Sequence, residues 1–228
     1  MAEMASDFIN NVTHEFNTPL TTIRIGLTNL VVKVSKEDKL KMATTLDTLM
    51  RQVNRLDRLV NKAIDLSVFN QEEVILEEHF LEELMVQLEQ DLGILVSEST
   101  VIQILMDENV KDVKALVNPF MFVTAVNNLV DNGLKYNKEP IKCIHIRLSM
   151  DGVNTVMMTV HDNGIGISHN QLPYIFTKGY RGKQEASSNG LGLGLFFVKE
   201  VMRIHRWKID VKSGTQSGTT FSVSIPTI

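Results

Sequence analysis

The chain has 228 residues, long for one domain and comfortable for two, and it can bury enough surface to fold without covalent staples. Hydrophobic residues at 43% and charged residues at 22% exclude a disordered, collagen-like or disulfide-scaffold protein, and a net charge of −4 leaves no basic excess to hold nucleic acid. The single cysteine, Cys143, excludes an intramolecular disulfide and a cysteine-rich metal site, and its strand-like surroundings make it a small, semi-buried residue.

Near the N-terminus Glu3, Asp7, Asn10 and Asn11 interrupt any signal-peptide core, and no run approaches the ~18 apolar residues of a membrane span. Ile9, Val12, Phe16, Leu20, Ile23, Leu27, Leu30 and Val34 recur at spacings of three and four, which draws one apolar stripe down a helix. After the polar break Ser35-Lys36-Glu37-Asp38 the stripe resumes at Met42, Leu46, Leu49, Val53, Leu56, Val60, Ala63 and Ser67, with heptad spacing. The pattern predicts an antiparallel helical hairpin whose apolar face is too broad for one partner helix. A four-helix bundle made by two copies is the economical solution, and a self-contained coiled-coil hairpin is the other.

The pattern changes around Asn70-Gln71-Glu72-Glu73, which predicts a first domain over residues 1–70 and a second over 71–228. In the second, a helix is expected from about His79, carrying Phe80, Leu84, Leu88 and Leu92. Val101 to Met106 and Val113 to Val117 read as strands. Asn118-Pro119 then opens a helix that runs to about Lys138, with proline in an early helical position. Ile144 to Met150 and Val153 to Val160 read as strands joined at Asp151-Gly152. A helix from about Gly192 to Ile204 and the strands Lys208 to Ser213 and Thr219 to Ile225 follow. Helices come in separate blocks rather than after each strand, so this half is α+β, an α/β sandwich, and not a doubly wound sheet.

Four segments carry chemistry. In Phe8 to Leu20, His14 lies roughly 160° from the centre of the apolar stripe, so its imidazole faces water, and Thr18 shares that face one turn on. A neutral imidazole is a good nucleophile at cell pH, Glu15 can hold its ring N–H, and Pro19 bends the helix beneath it. In Asn127 to Asn137, Asn128, Asn132, Lys135 and Tyr136 sit on neighbouring helical turns. They offer hard amide oxygens suited to Mg²⁺, a cation for phosphates and an aromatic face for a base. Asp162-Asn163-Gly164-Ile165-Gly166-Ile167 leaves a strand with glycines that let a ligand come close and a carboxylate that can accept the exocyclic amine of adenine. The basic loop Phe176 to Asn189 runs into Gly190-Leu191-Gly192-Leu193-Gly194-Leu195, a helix start suited to a polyphosphate, over which Lys178, Arg181 and Lys183 can close. It is neither a Walker A loop nor G-x-G-x-x-G. Taken singly, these segments also read as a surface histidine, a polar helix face, a tight turn and a surface loop.

Taken in order, they resemble the transmitter core of a bacterial two-component sensor histidine kinase: a dimerisation and phosphoacceptor hairpin, then a Bergerat-type ATP-binding domain. The segments at His14, at Asn128 to Tyr136, at Asp162 to Ile167, at Phe176 to Arg181 and at Gly190 to Leu195 are similar to that family's H, N, G1, F and G2 boxes. The resemblance implies an enzyme that autophosphorylates His14 from ATP and passes the phosphoryl group to an aspartate of a response regulator. Glu15 would orient the imidazole, and Thr18 would help remove phosphate from the regulator. Asn132 and Asn128 would hold Mg²⁺. Lys135, Lys178 and Arg181 would meet phosphates, while Tyr136 and Asp162 would meet adenine. Gly164, Gly166, Gly190, Gly192 and Gly194 would shape the ATP site. It further implies a homodimer through the hairpin and a cytoplasmic location, with membrane attachment only through segments outside this chain. Other Bergerat-type ATPases and kinases share the nucleotide segments but have no use for the helix at His14 to Pro19, and a silent scaffold would need neither.

Three positions depart from the family pattern. Phe16-Asn17 stands where an aliphatic residue and a cation are usual. Gly133 replaces alanine, which should loosen its helix slightly. His205-Arg206-Trp207 replaces a His-Gly-Gly turn.

Overall fold

The structure, a computed structural model, describes residues 20–27, 45–46, 48–49, 52–53, 74–182, 192–215 and 217–228. Residues 20–27 are helical, as are the described positions between 45 and 53. Leu49 is buried, and a Cβ placed on Gly26 would stand 2.7 Å from Leu49 Cδ2, so the two helical stretches meet closely at this pair. Leu20, Leu27, Leu46 and Val53, all members of the two predicted stripes, remain between 40% and 51% exposed.

From Glu77 the elements follow in the order β1 (Glu77–Phe80), α1 (Leu81–Gly93), β2 (Thr100–Met106), β3 (Lys114–Val117), α2 (Pro119–Lys135), β4 (Lys142–Met150), β5 (Thr155–Asp162), α3 (Gly194–His205), β6 (Lys208–Ser213) and β7 (Thr219–Pro226). The main sheet has the order β2-β4-β5-β7-β6, with β2 parallel to β4 and every other neighbour antiparallel. β1 and β3 pair as a separate antiparallel ribbon. This is the α+β sandwich that the blocks of helix and strand predict.

Strand alternation decides what faces the helices. Ile144, Ile146 and Leu148 of β4, Val156, Met158 and Val160 of β5, and Phe221, Val223 and Ile225 of β7 are buried, whereas His145 and Arg147 point outward. Onto that face pack Leu84, Leu88 and Leu92 of α1, Phe122, Val126 and Leu129 of α2, and Val198, Val201 and Met202 of α3, in one core. Each such side chain contributes about 1.5–3 kcal/mol on leaving water.

One expected boundary is corrected. The helix predicted from His79 begins at Leu81, and Glu77–Phe80 are instead a strand. The reason is tertiary: the segment borders no sequence neighbour it could pair with, and its partner is β3, which runs Lys114–Val117.

The ends of α2 and α3 meet. Asn118 caps α2, its Oδ1 accepting the N–H of Met121, with Pro119 as the first helical residue. α3 ends in the His205-Arg206-Trp207 turn. Arg206 takes the left-handed conformation (φ 57°), and the N–H of Trp207 returns to the carbonyl of Met202. His205 is buried against Trp207, with ring centroids 4.6 Å apart, and its Nε2 accepts the N–H of Asn118.

Candidate nucleotide-binding site

The alternation of β5 continues past Val160 to Asp162, whose carboxylate is thereby delivered to the inward face at the strand's end and is 8% exposed. Burial pushes its pKa above the usual carboxylate value, opposed by backbone hydrogen bonds from Gly164 and Thr219 and by His161. Its Oδ1 accepts the Gly164 N–H at 2.8 Å. A Cβ on Gly164 would stand 2.8 Å from both that oxygen and the carbonyl of Tyr136, so only glycine lets the turn lie this close.

The turn docks on the end of α2. Ile165 donates its N–H to the Tyr136 carbonyl, and Gly218 donates to the Gly164 carbonyl. Gly166, at φ 71°, lies against the Gly214 carbonyl, where any Cβ would collide. Gly133 makes the helix side of this contact, since a Cβ there would be 2.7 Å from Ile144 Cδ1 and 3.0 Å from Asp162 Cβ. Besides the helix propensity it costs, this glycine allows α2 to approach the carboxylate.

On the same helix, Asn132 has a buried side-chain nitrogen with no hydrogen-bond partner among the described residues. A buried polar atom left so is costly unless something else satisfies it. Asn128 donates its Nδ2 to the Thr124 carbonyl, and its Oδ1 lies 2.7 Å from where a Cβ on Gly194 would be. α2 thus touches the start of α3, where no side chain caps the open N–H groups. The Lys135 ammonium stands 4.8 Å from the centre of the Tyr136 ring. Lys178 lies 5.8 Å from that of Phe196, and Arg181 is half-buried.

The loop between these elements is closed at its base. The Gly179 N–H donates to the Gly192 carbonyl at 3.1 Å, and both residues have positive φ. A Cβ on Gly192 would stand 2.7 Å from the Tyr180 carbonyl. Asn128, Asn132, Lys135, Tyr136, Asp162, Gly164, Gly166, Gly192 and Gly194 are therefore linked through direct contacts or one short helix, with Lys178 and Arg181 on the adjoining loop. Gly190 and Lys183, like His14, Glu15 and Thr18, lie outside the described residues.

Sequence reading missed Asn137 and treated Asn163 only as part of a turn. Asn163 Oδ1 accepts from Asn137 Nδ2 at 2.6 Å and from the Cys143 N–H at 2.7 Å, and its Nδ2 donates to the Ile141 carbonyl. That amide ties the turn to β4 and to the chain after α2. The Asp-Asn-Gly triplet was its only local signal, because the partners lie 20 or more residues away. Ser213, which accepts the Ile167 N–H and donates to the Gly218 carbonyl, carried none.

Two matches cover most of the chain. Residues 4–72 match the His Kinase A (phospho-acceptor) domain, and residues 118–228 the histidine kinase-, DNA gyrase B-, and HSP90-like ATPases. The sensor protein RprX of Bacteroides fragilis is 28% identical over 235 residues, spanning 99% of this chain and 44% of that protein. The heme sensor protein HssS of Staphylococcus haemolyticus is 28% identical over 227 residues, spanning 98% of this chain and 47% of that one. The chain thus spans just under half the length of these relatives. In fold it is similar to the histidine kinase ThkA, solved in complex with the response regulator TrrA (TM-score 0.74, 20% identity, 100% of this chain and 63% of that one). It is similar also to the Acinetobacter baumannii histidine kinase AdeS (TM-score 0.65, 18% identity, 93% and 97%).

Proposed function

Because the chain belongs to the two-component sensor histidine kinases and forms their transmitter core, we propose that it binds ATP, autophosphorylates His14 and passes the phosphoryl group to an aspartate of a response regulator. The carrying observation is the junction of α2 with the end of β5. There a buried carboxylate, its glycine turn and an unsatisfied asparagine amide converge beside an open helix N-terminus.

In this reading Asp162 accepts the adenine amino group, and the Tyr136 ring packs on the base. Lys135, Lys178 and Arg181 offset phosphate charge, and the first N–H groups of α3 take the polyphosphate. Asn132, with Asn128 a turn before it, supplies amide oxygens of the kind Mg²⁺ accepts, while the unsatisfied Asn132 Nδ2 is a donor that suits a phosphate oxygen. Bound there, Mg²⁺ would neutralise charge on the phosphates. Among the described residues no group of three or more His, Cys, Asp or Glu stands ready to hold a metal, so amide and phosphate oxygens would have to serve.

The transfer forms a bond from an imidazole nitrogen of His14 to the γ-phosphorus and breaks the bond from that phosphorus to the bridging oxygen of ADP. ADP leaves, and Glu15 holds the ring proton on the other nitrogen. The hairpin over residues 1–70 would pair with a second copy, which the exposed Leu20, Leu27, Leu46 and Val53 favour. The nucleotide unit over 71–228 would swing about the segment near Asn70 to Val74. Thr18, one turn from His14, would position water when phosphate is removed from the regulator. Among the described residues no helix is long and apolar enough to cross a membrane, in keeping with a cytoplasmic portion of a sensor.

Incubation with γ-labelled ATP is expected to give acid-labile label on the parent chain and none on His14→Gln. Label retained by that variant would reject the assignment.

A further inference from the structure

Asn118 engages four polar groups. Its Oδ1 accepts the Met121 N–H and its carbonyl the Phe122 N–H, which start α2. Its own N–H goes to His205 Nε2 at 3.0 Å, fastening α2 to the end of α3. The fourth contact is of another kind: Nδ2 donates to the carbonyl of Ile75 at 3.2 Å.

Ile75 lies just before β1, in the stretch through which the helical segment reaches the nucleotide unit, and its side chain is 68% exposed. Val74 beside it packs on the core. Burial of the Ile75 side chain therefore does not hold this residue; its carbonyl does so together with the packing of Val74. An aspartate or serine would cap α2 as well as asparagine does, but neither carries an N–H to donate. The amide at position 118 serves the linker as well as the helix.

We infer that Asn118 is a positioning residue for phosphoryl transfer, fastening the linker to the N-terminus of the helix that bears Asn128 and Asn132. This rests on the kinase reading. The fastening makes the tether leave the nucleotide unit at a fixed point next to α2. Released, the chain at Ile75 is held only by the packing of Val74 and gains slack, and a slacker tether lowers the effective concentration of the imidazole at the nucleotide.

Asn118→Ser isolates this contact, because serine keeps a cap oxygen and the backbone N–H to His205 but has no Nδ2 donor. Asn118→Asp makes the same deletion with a different cap. In the full chain both variants are expected to keep the parent's ATP affinity, with a thermal midpoint lower by no more than about a few degrees. Their labelling rate at saturating ATP should fall about two- to tenfold, the size of one modest net hydrogen bond. A labelling rate equal to or above the parent's overturns the inference, and so does a rate lost only in step with ATP affinity or stability. A parent chain that never labels at His14 marks failure of the kinase reading instead, so the two failures are told apart.

Discussion

Asp162 occupies the inward phase of β5, two residues after Val160, where the preceding inward side chains are apolar. Its carboxylate is desolvated more than it is compensated, so the folded pKa lies above the unfolded one. A carboxyl shifted in this direction supports the fold fully below its unfolded pKa, and that support is lost as pH rises through the folded value. Above that value the ionised group burdens the empty domain and is useful only to a ligand that donates to it. Asp162→Asn keeps the size of the side chain and an Oδ1 to accept the Gly164 N–H, while removing the buried charge. The variant is expected to unfold at the same urea concentration as the parent or a higher one at pH 7.5. Its ATP affinity should drop about tenfold or more, the worth of a hydrogen bond to a charged group. A lower urea midpoint with unchanged ATP affinity would assign the carboxylate to structure alone.

At the scale of elements, the contact of α2 with α3 depends on a histidine that must stay neutral. His205 Nε2 accepts the Asn118 N–H, so the ring proton sits on Nδ1, which donates to the Val201 carbonyl. Burial holds the His205 pKa below 6.5, against the Val201 hydrogen bond that raises it. A depressed histidine contributes stability that is present above the unfolded value of about 6.5 and is lost as pH falls below it through the folded value. The urea midpoint of the parent should therefore fall from pH 7.5 to pH 5.5 more steeply than that of His205→Gln, which offers an uncharged acceptor. Parallel slopes would remove His205 from the pH dependence.

These same elements show what was legible in the sequence. β6 over Lys208–Ser213 was bounded correctly, and β2, β5 and β7 to within one or two residues, because apolar alternation is written locally. The inward phase of Asp162 was legible too, by extending Val156, Met158 and Val160 one step further. The β1–β3 ribbon was not, nor the placing of β2 beside β4, since pairing partners lie tens of residues apart. The same distance hid the Asn137–Asn163 contact and the task of Gly133, which looks like a weak point in a helix until Ile144 and Asp162 are set against it.

For the whole molecule, two jobs fall to two parts of the chain. Every described contact that shapes the nucleotide site lies between Thr124 and Thr219, while in the proposed reading the helical segment brings the imidazole and pairs with a second copy. Affinity for ATP and the capacity to be labelled should then be separable by a change that never touches the nucleotide unit. Gly26 is the place to make it, because its Cα stands where a Cβ would be 2.7 Å from Leu49 Cδ2 and 3.2 Å from Leu49 Cγ. Leucine at position 26 favours helix by about 1 kcal/mol over glycine. Overpacking beside the buried Leu49 costs about 1–3 kcal/mol, more than that gain, so either the Leu49 side chain or the two helical stretches must shift. Gly26→Leu is expected to bind ATP as the parent does. Its labelling should fall on the order of tenfold or more, since small misplacements of a reacting group are expensive. Equilibrium binding of ATP and the initial rate of label incorporation, measured on the same preparation, check this. Loss of ATP affinity in the variant would mean that the helical segment helps to build the nucleotide site, and full labelling would mean that the Gly26–Leu49 contact does not align the imidazole.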